Sequence, residues 1–122
     1  MKIRIKGNSI RIRLSRTEIA DFGANGYLTE KTEFGNSAFA YALQSDATGS
    51  ALSANFVNGT MTVYVPVAIQ KEWAETDIVG YEHNMPIGDA KQLLILIEKD
   101  FKCIDNTTED QSDNYEHPTK VC

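Results

Sequence analysis

The chain has 122 residues, of which 42% are apolar and 24% charged, and its formal net charge is −5. Such a length and composition are typical of one globular domain, and they exclude a disordered, collagen-like or disulfide-dense protein. The apolar runs of the sequence, such as residues 93–97, are far shorter than the ~20 residues that a membrane-spanning helix needs. Because polyanions repel an acidic protein, we expect neither general nucleic-acid binding nor binding to a membrane surface.

The first 17 residues have the opposite charge from the rest of the chain. They contain six basic residues and no acidic one, which gives them a charge of +6. Because the whole chain carries −5, residues 18–122 carry −11. This basic stretch lacks the apolar central region and the small-residue cleavage site of a signal peptide. We therefore expect a cytoplasmic location.

Residues 2–14 predict a β-hairpin. Isoleucine alternates with charged residues on both sides of Gly7-Asn8, a dipeptide suited to a two-residue turn. In this register Ile5 faces Ile10 and all the isoleucines lie on one side of the hairpin.

A short helix should follow at residues 16–22. Ser15 and Glu18 have the spacing of a capping box, and Gly23 is placed to end the helix. A second helix is predicted at residues 66–74, where Pro66 suits the first turn and Ile69 and Trp73 share an inner face.

The remaining strands are predicted in pairs. Gly35-Asn36 and Asn58-Gly59 are strong hairpin signals. The tripeptide Gly-Asn-Ser occurs at residues 7 and 35, and we interpret this recurrence as shared turn chemistry rather than as a repeat. A last pair has one strand that is apolar on both faces, as expected of a covered central strand. The predicted pairs are residues 27–34 with 37–44, 51–57 with 60–65, and 78–82 with 92–98.

Together these elements predict an α+β fold, with about eight strands in a twisted antiparallel sheet or a small open barrel and two short helices. Residues 1–103 should form a single β-rich domain. Residues 104–122 are polar and acidic, and we expect a tail that either packs on that domain or extends from it.

Three segments resemble a family of small bacterial proteins of unknown function. They are KIRIKGNSIRIRL at the start of the chain and EKDFKCID and EDQSDN near its end. The resemblance extends over nearly the whole chain and implies a soluble cytoplasmic protein of one domain. It implies no activity, cofactor or site residue.

The basic face of the first hairpin is the first candidate site. The predicted register sets Arg4 opposite Arg11 and Lys2 opposite Arg13, and facing like charges destabilise a sheet. Such a face must be solvated, neutralised by Glu30, Glu33 or the acidic tail, or used to hold an anion. The candidate residues for binding an anion or a partner are Lys2, Arg4, Lys6, Arg11 and Arg13.

A second candidate is a metal or thiol site formed by Cys103, His117 and Cys122. Their spacing matches no paired zinc motif, because each soft ligand stands alone in the sequence. The cysteines could be free, bound to a metal, or joined in a disulfide that closes a loop of about 20 residues and contributes ~3 kcal/mol. We predict no cofactor.

No catalytic constellation is visible in the sequence, so the leading hypothesis is a non-enzymatic binding or accessory module. It would present the basic hairpin to an acidic protein or a small anionic ligand. The alternative is a metal-binding or thiol-redox protein, and an enzyme whose site is scattered over loops stays open.

Overall fold

A computed structural model describes residues 1–101 together with Asp113 and Tyr115. This part of the chain contains eight strands and two helices, which confirms the α+β class. The elements in chain order are β1 (Lys2–Lys6), β2 (Ser9–Leu14), α1 (Arg16–Asn25), β3 (Tyr27–Glu33), β4 (Ala38–Asp46), β5 (Ser53–Val57), β6 (Thr60–Pro66), α2 (Val67–Glu75), β7 (Gly80–Gly88) and β8 (Lys91–Lys99).

The described strands form two four-stranded sheets, with the orders β1-β2-β8-β7 and β3-β4-β6-β5. All four predicted hairpins are present, but the central pairs β2–β8 and β4–β6 are parallel. The sheets are therefore mixed, unlike the twisted antiparallel sheet or small open barrel that the sequence predicted. Turn residues fix pairing only between strands that are adjacent in the chain, so they gave no information on these long-range pairs.

The hairpin registers agree with the sequence prediction. Ile5 pairs with Ile10 and Arg4 with Arg11 across the first turn, and Val57 pairs with Thr60 across Asn58-Gly59. The last hairpin is longer than predicted, because β7 begins at Gly80 and continues through Pro86 to Gly88 after a register shift. An irregular edge strand accommodates proline, which cannot donate to a β ladder.

The first helix begins as predicted and ends later. Ser15 and Glu18 form the capping box, with the Glu18 carboxylate accepting from the Ser15 backbone N–H at 2.9 Å. The helix continues past Gly23 to Asn25, and Gly26 caps it with a left-handed φ of 72°. Gly23 is instead a packing position, since a β-carbon there would lie 2.6 Å from the β-carbon of Ala74 in α2.

The two halves of the described chain have the same topology. Each half consists of a hairpin, a helix and a second hairpin, and each sheet combines the first hairpin of one half with the second hairpin of the other. Lys2 corresponds to Ser53 at the start of these halves, and Arg16 to Val67 at the start of the helices. The buried helix residues correspond in the same way, Ile19 to Gln70 and Phe22 to Trp73.

The core lies between these elements and is covered differently at its two ends. Strands β2 and β6 lead directly into α1 and α2, which pack on each other and bury Phe22 and Trp73. The opposite ends of the same strands begin at the hairpin turns, away from the helices. In residues 1–101, neither helix has the length and apolar character required to cross a bilayer.

Candidate functional site

The basic hairpin has the predicted geometry. Arg4 lies opposite Arg11 and Lys2 opposite Arg13 on one face of the β1–β2 pair. On its other side β2 pairs in parallel with β8, and this register places Glu98 beside Arg13. The sheet therefore brings a carboxylate from the distant strand β8 next to the cations.

Acidic residues at the end of β8 neutralise part of this face. The Glu98 carboxylate lies 3.1 Å from Nε of Arg11 and 3.4 Å from Nε of Arg13. The Lys2 ammonium lies 2.9 Å from the Asp100 carboxylate. Sequence reasoning missed both acids, because their proximity depends on the parallel pairing of β2 with β8.

Two cations of the hairpin have no counter-charge among the residues that the structure describes. Arg4 and Lys6 are exposed, and neither side chain forms an ion pair with another residue in the part of the chain that the structure describes. The neutralising acids suggested by the sequence bind elsewhere. Glu30 lies 2.7 Å from the Met1 amine, and Glu33 lies 3.1 Å from Lys31.

The Met1 amine sits between two carboxylates at the start of β1. It is bonded to Glu18 as well as to Glu30, so the helix α1 and the strand β3 both contact the first residue. Burial lowers the pKa of this amine, but the hydrogen bonds to Glu18 and Glu30 raise it by more, and the net pKa is raised. These acids thus stabilise a charge next to the hairpin without reaching its basic face.

Two residues of the predicted tail contact the start of α1 and the end of β8. The Asp113 carbonyl accepts a 2.9 Å hydrogen bond from the Arg16 backbone N–H, and its carboxylate accepts one of 2.9 Å from the Thr17 hydroxyl. Tyr115 donates its backbone N–H to the Asp100 carbonyl at 2.7 Å. The remaining acids of residues 104–122 lie outside the described residues, so their position relative to Arg4 and Arg11 stays a prediction.

The Tyr115 ring is held by three side chains. Its centroid lies 5.3 Å from the guanidinium carbon of Arg16 and 5.2 Å from the ammonium of Lys99, both within the range of cation–π contacts. Phe101 packs against it with ring centroids 5.7 Å apart. This aromatic contact fastens Tyr115 to the end of β8.

The second candidate site, Cys103, His117 and Cys122, lies outside the described residues. Among the residues that are described, no group of three or more His, Cys, Asp or Glu side chains is arranged to hold a metal ion. The metal and thiol hypotheses therefore remain predictions.

A groove that sequence reasoning did not identify lies at the end of the molecule opposite the helices. Its volume is about 490 Å³, and both sheets contribute to its walls. Most of its lining is apolar. Its main apolar residues form three pairs of equivalent positions in the two halves of the chain: Ile5 and Phe56, Ile10 and Met61, and Phe39 and Leu93.

The walls of the groove are exposed and its floor is buried. Ile5, Phe56 and Ile87 are 59%, 65% and 48% exposed, whereas Ile10 and Met61 are buried. A few polar groups stand at the rim. Among these the Asn8 side chain donates to the Gln92 carbonyl at 2.6 Å, which joins the first hairpin turn to β8.

The groove and the basic hairpin adjoin each other. Lys6 lies between Ile5 and Gly7, and both of these neighbours line the groove. Strand alternation directs Lys6 and Arg4 to the outer face of β1 while Ile5 faces inward. The edge strand β1 thus separates an apolar wall from two cations that have no acidic partner among the described residues.

The sequence model of a protein family, DUF7009, which is described as a family of unknown function, matches residues 1–119 of this chain. This match confirms the family resemblance found in the sequence. No curated protein and no solved structure matches the chain.

Proposed function

This chain belongs to the DUF7009 family, and from its geometry we propose that it is a non-enzymatic binding module that recognises negative charge through the β1–β2 hairpin. Its partner is an acidic protein or a small anionic ligand. A cytoplasmic location is part of the same proposal, as is the expectation that nucleic acid and membranes are not general partners.

The observation that carries this proposal is the unequal neutralisation of the hairpin. Glu98 and Asp100 offset the charges of Arg11, Arg13 and Lys2, but no described acid contacts Arg4 or Lys6. Arg4 also faces Arg11 directly, and such a like-charge pair lowers sheet stability. An anion bound at this edge would neutralise Arg4, as Glu98 neutralises Arg11, and would remove the repulsion that remains between the two strands.

Arg4 and Lys6 also lie where a ligand can reach them. Both are exposed residues on β1, which is the edge strand of its sheet, and they stand two residues apart on the same face. That spacing places their α-carbons about 7 Å apart. One carboxylate or sulfate group could therefore contact both flexible side chains at once.

The test is a titration of the protein with short poly-glutamate and with inorganic sulfate at low and high salt. We expect saturable binding that weakens as salt rises, since the contacts are between exposed charges. Replacing both Arg4→Gln and Lys6→Gln should abolish this binding. The matched control replaces Lys31→Gln and Lys71→Gln, which removes the same charge from β3 and α2.

Equal binding by both double variants would contradict the proposal, because it would show a response to net charge alone. So would the absence of binding at low salt. A DNA oligonucleotide should bind no better than poly-glutamate of the same charge, and stronger binding of the DNA would identify a different class of partner.

A further inference from the structure

The groove beside the hairpin carries a more specific inference. We propose that it binds the hydrocarbon chain of a free amphiphilic carboxylate, whose head group contacts Lys6 and Arg4. This rests on the proposed function, because the head group uses the same two cations. It adds the chemical class of the ligand, an aliphatic chain that ends in an anion.

The volume and lining of the groove fit a small apolar ligand. Sites for small molecules commonly enclose about 300–1,000 Å³ and combine apolar walls with a few polar groups. The groove has a volume of about 490 Å³, and its rim carries Asn8, Ser9 and Asn55. Met61 and Met85 line it as well, and methionine adapts its shape to flexible chains.

The exposed walls are apolar surface that a ligand chain could cover. Removing Ile5, Phe56 and Ile87 from water would be favourable, and each of these residues is at least 48% exposed in the free protein. Their exposure is a consequence of the fold, because the helices cover the core only at its other end. A ligand chain would extend the core to these side chains.

Charge complementarity decides in favour of an anionic amphiphile. Lys6 is next in sequence to two lining residues, Ile5 and Gly7, and a flexible four-carbon stem carries its ammonium group. It has no acidic partner among the described residues. A ligand whose chain occupies the groove would place its carboxylate at the β1 edge, where Lys6 and Arg4 can neutralise it.

The primary experiment is a calorimetric titration with saturated carboxylates of six, eight and ten carbons, all below their micelle concentrations. We expect one site per chain, with affinity rising up to about fourfold for each added methylene that the groove buries. Nonyl glucoside, whose nine-carbon alkyl chain matches that of decanoate without the charge, should bind several-fold more weakly than decanoate.

Two pairs of variants separate the chain contact from the charge contact. Phe56→Ser should lower decanoate affinity about tenfold, while Phe34→Ser, which removes an equally exposed ring outside the groove, should not change it. Lys6→Gln should weaken decanoate binding a few-fold and leave the binding of nonyl glucoside unaffected. Lys71→Gln, on α2, should affect neither ligand.

The outcomes distinguish this inference from the proposed function. If poly-glutamate binds through Arg4 and Lys6 but decanoate does not bind, the inference is wrong and the proposed function stands. If decanoate binds in a manner that depends on Phe56 but not on Lys6 and Arg4, the groove is a neutral apolar site. The inference would then be wrong in assigning the head group to these cations, and the poly-glutamate titration would decide the proposed function separately.

Other occupants of the groove would give other results. Sedimentation velocity would reveal a dimer that Phe56→Ser dissociates if a second copy of the chain covers these side chains. Co-sedimentation with phosphatidylglycerol vesicles, without binding of free decanoate, would identify a membrane surface. Either result would overturn the inference.

Discussion

Gly23 of α1 and Ala74 of α2 meet where the two helices cross, so closely that a β-carbon added to Gly23 would lie 2.6 Å from the β-carbon of Ala74. Real β-carbons do not approach this closely, so the contact requires glycine on one side. It explains why α1 contains a glycine in its interior, where glycine costs about 1 kcal/mol relative to alanine.

We expect Gly23→Ala to destabilise the protein although it improves helix propensity. The gain of about 1 kcal/mol should be outweighed by overpacking, which typically costs about 1–3 kcal/mol. The free energy of unfolding, measured by urea denaturation, should therefore fall by about 1 kcal/mol.

The reciprocal change provides the control. In the Gly23→Ala background, Ala74→Gly removes the clashing methyl group from the other helix and should restore part of the lost stability. In the parent it should only destabilise. An equal effect of Ala74→Gly in both backgrounds would show that the two residues do not interact.

The local elements of the fold could be predicted from the sequence because their signals are local. Gly7-Asn8 and Asn58-Gly59 fixed the hairpin registers, and the Ser15–Glu18 capping box fixed the start of α1. The end of α1 was predicted at Gly23, which was wrong. A glycine chosen for a helix crossing and one chosen for a C-cap look the same in sequence, and only the three-dimensional contact distinguishes them.

The sheet topology and the candidate site could be predicted only in part, because both depend on long-range pairing. The row of cations on β1 and β2 follows from the hairpin register, whereas its neutralisation by Glu98 follows from a parallel pair that no turn specifies. The groove was missed for a related reason. Ile5 and Phe56 have the strand parity of core residues, and their exposure depends on how far the helices extend over the core.

The carboxylate shared by Arg11 and Arg13 gives a second prediction. Glu98→Gln should lower the free energy of unfolding by about 0.5–1 kcal/mol at low salt, because it leaves the neighbouring guanidinium groups of Arg11 and Arg13 without their counter-charge. Thermal or urea unfolding at about 1 M salt should show a smaller loss, since salt screens exposed charges.

Glu75→Gln is the matched control, because Glu75 is an exposed acid near the end of α2 without an ion pair to a described residue. Its effect on stability should be close to zero at either salt concentration. Equal losses from the two variants would indicate that net charge, rather than the contact with the arginines, determines the effect.

The buried side chain of Gln70 gives a third prediction. Its amide nitrogen donates to the carbonyls of Phe22 and Gly23 at 3.0 and 3.2 Å, so α2 satisfies the last turn of α1. Gln70→Met keeps the length of the side chain but removes the donor. We expect a loss of about 1–2 kcal/mol in urea unfolding, because the buried carbonyl of Phe22 and the partly buried carbonyl of Gly23 each lose a hydrogen bond.

Gln44→Met tests whether this cost is specific. Gln44 is exposed on β4, and its replacement should change stability by less than about 0.5 kcal/mol. If both variants unfold at the same urea concentration as the parent, the two hydrogen bonds from Gln70 contribute nothing measurable.

The contact between Asp113 and the start of α1 gives a prediction about pH. Hydrogen bonds from the side chains of Ser15 and Thr17 hold the pKa of the Asp113 carboxyl below its ordinary value of 3.8. The contact therefore contributes stability above about pH 3.8, where the unfolded chain is also ionised. That contribution is lost as the pH falls through the lower pKa of the folded protein.

Carbon-detected NMR titration of the Asp113 carboxyl should give a midpoint below 3.8 in the parent. Thr17→Val removes the hydroxyl that donates to this carboxylate at 2.9 Å, so it should raise the midpoint. Thr29→Val is the control, because the Thr29 hydroxyl donates to the Tyr41 carbonyl on β4 instead. A midpoint at or above 3.8 in the parent would show that Asp113 does not bind the helix start in solution.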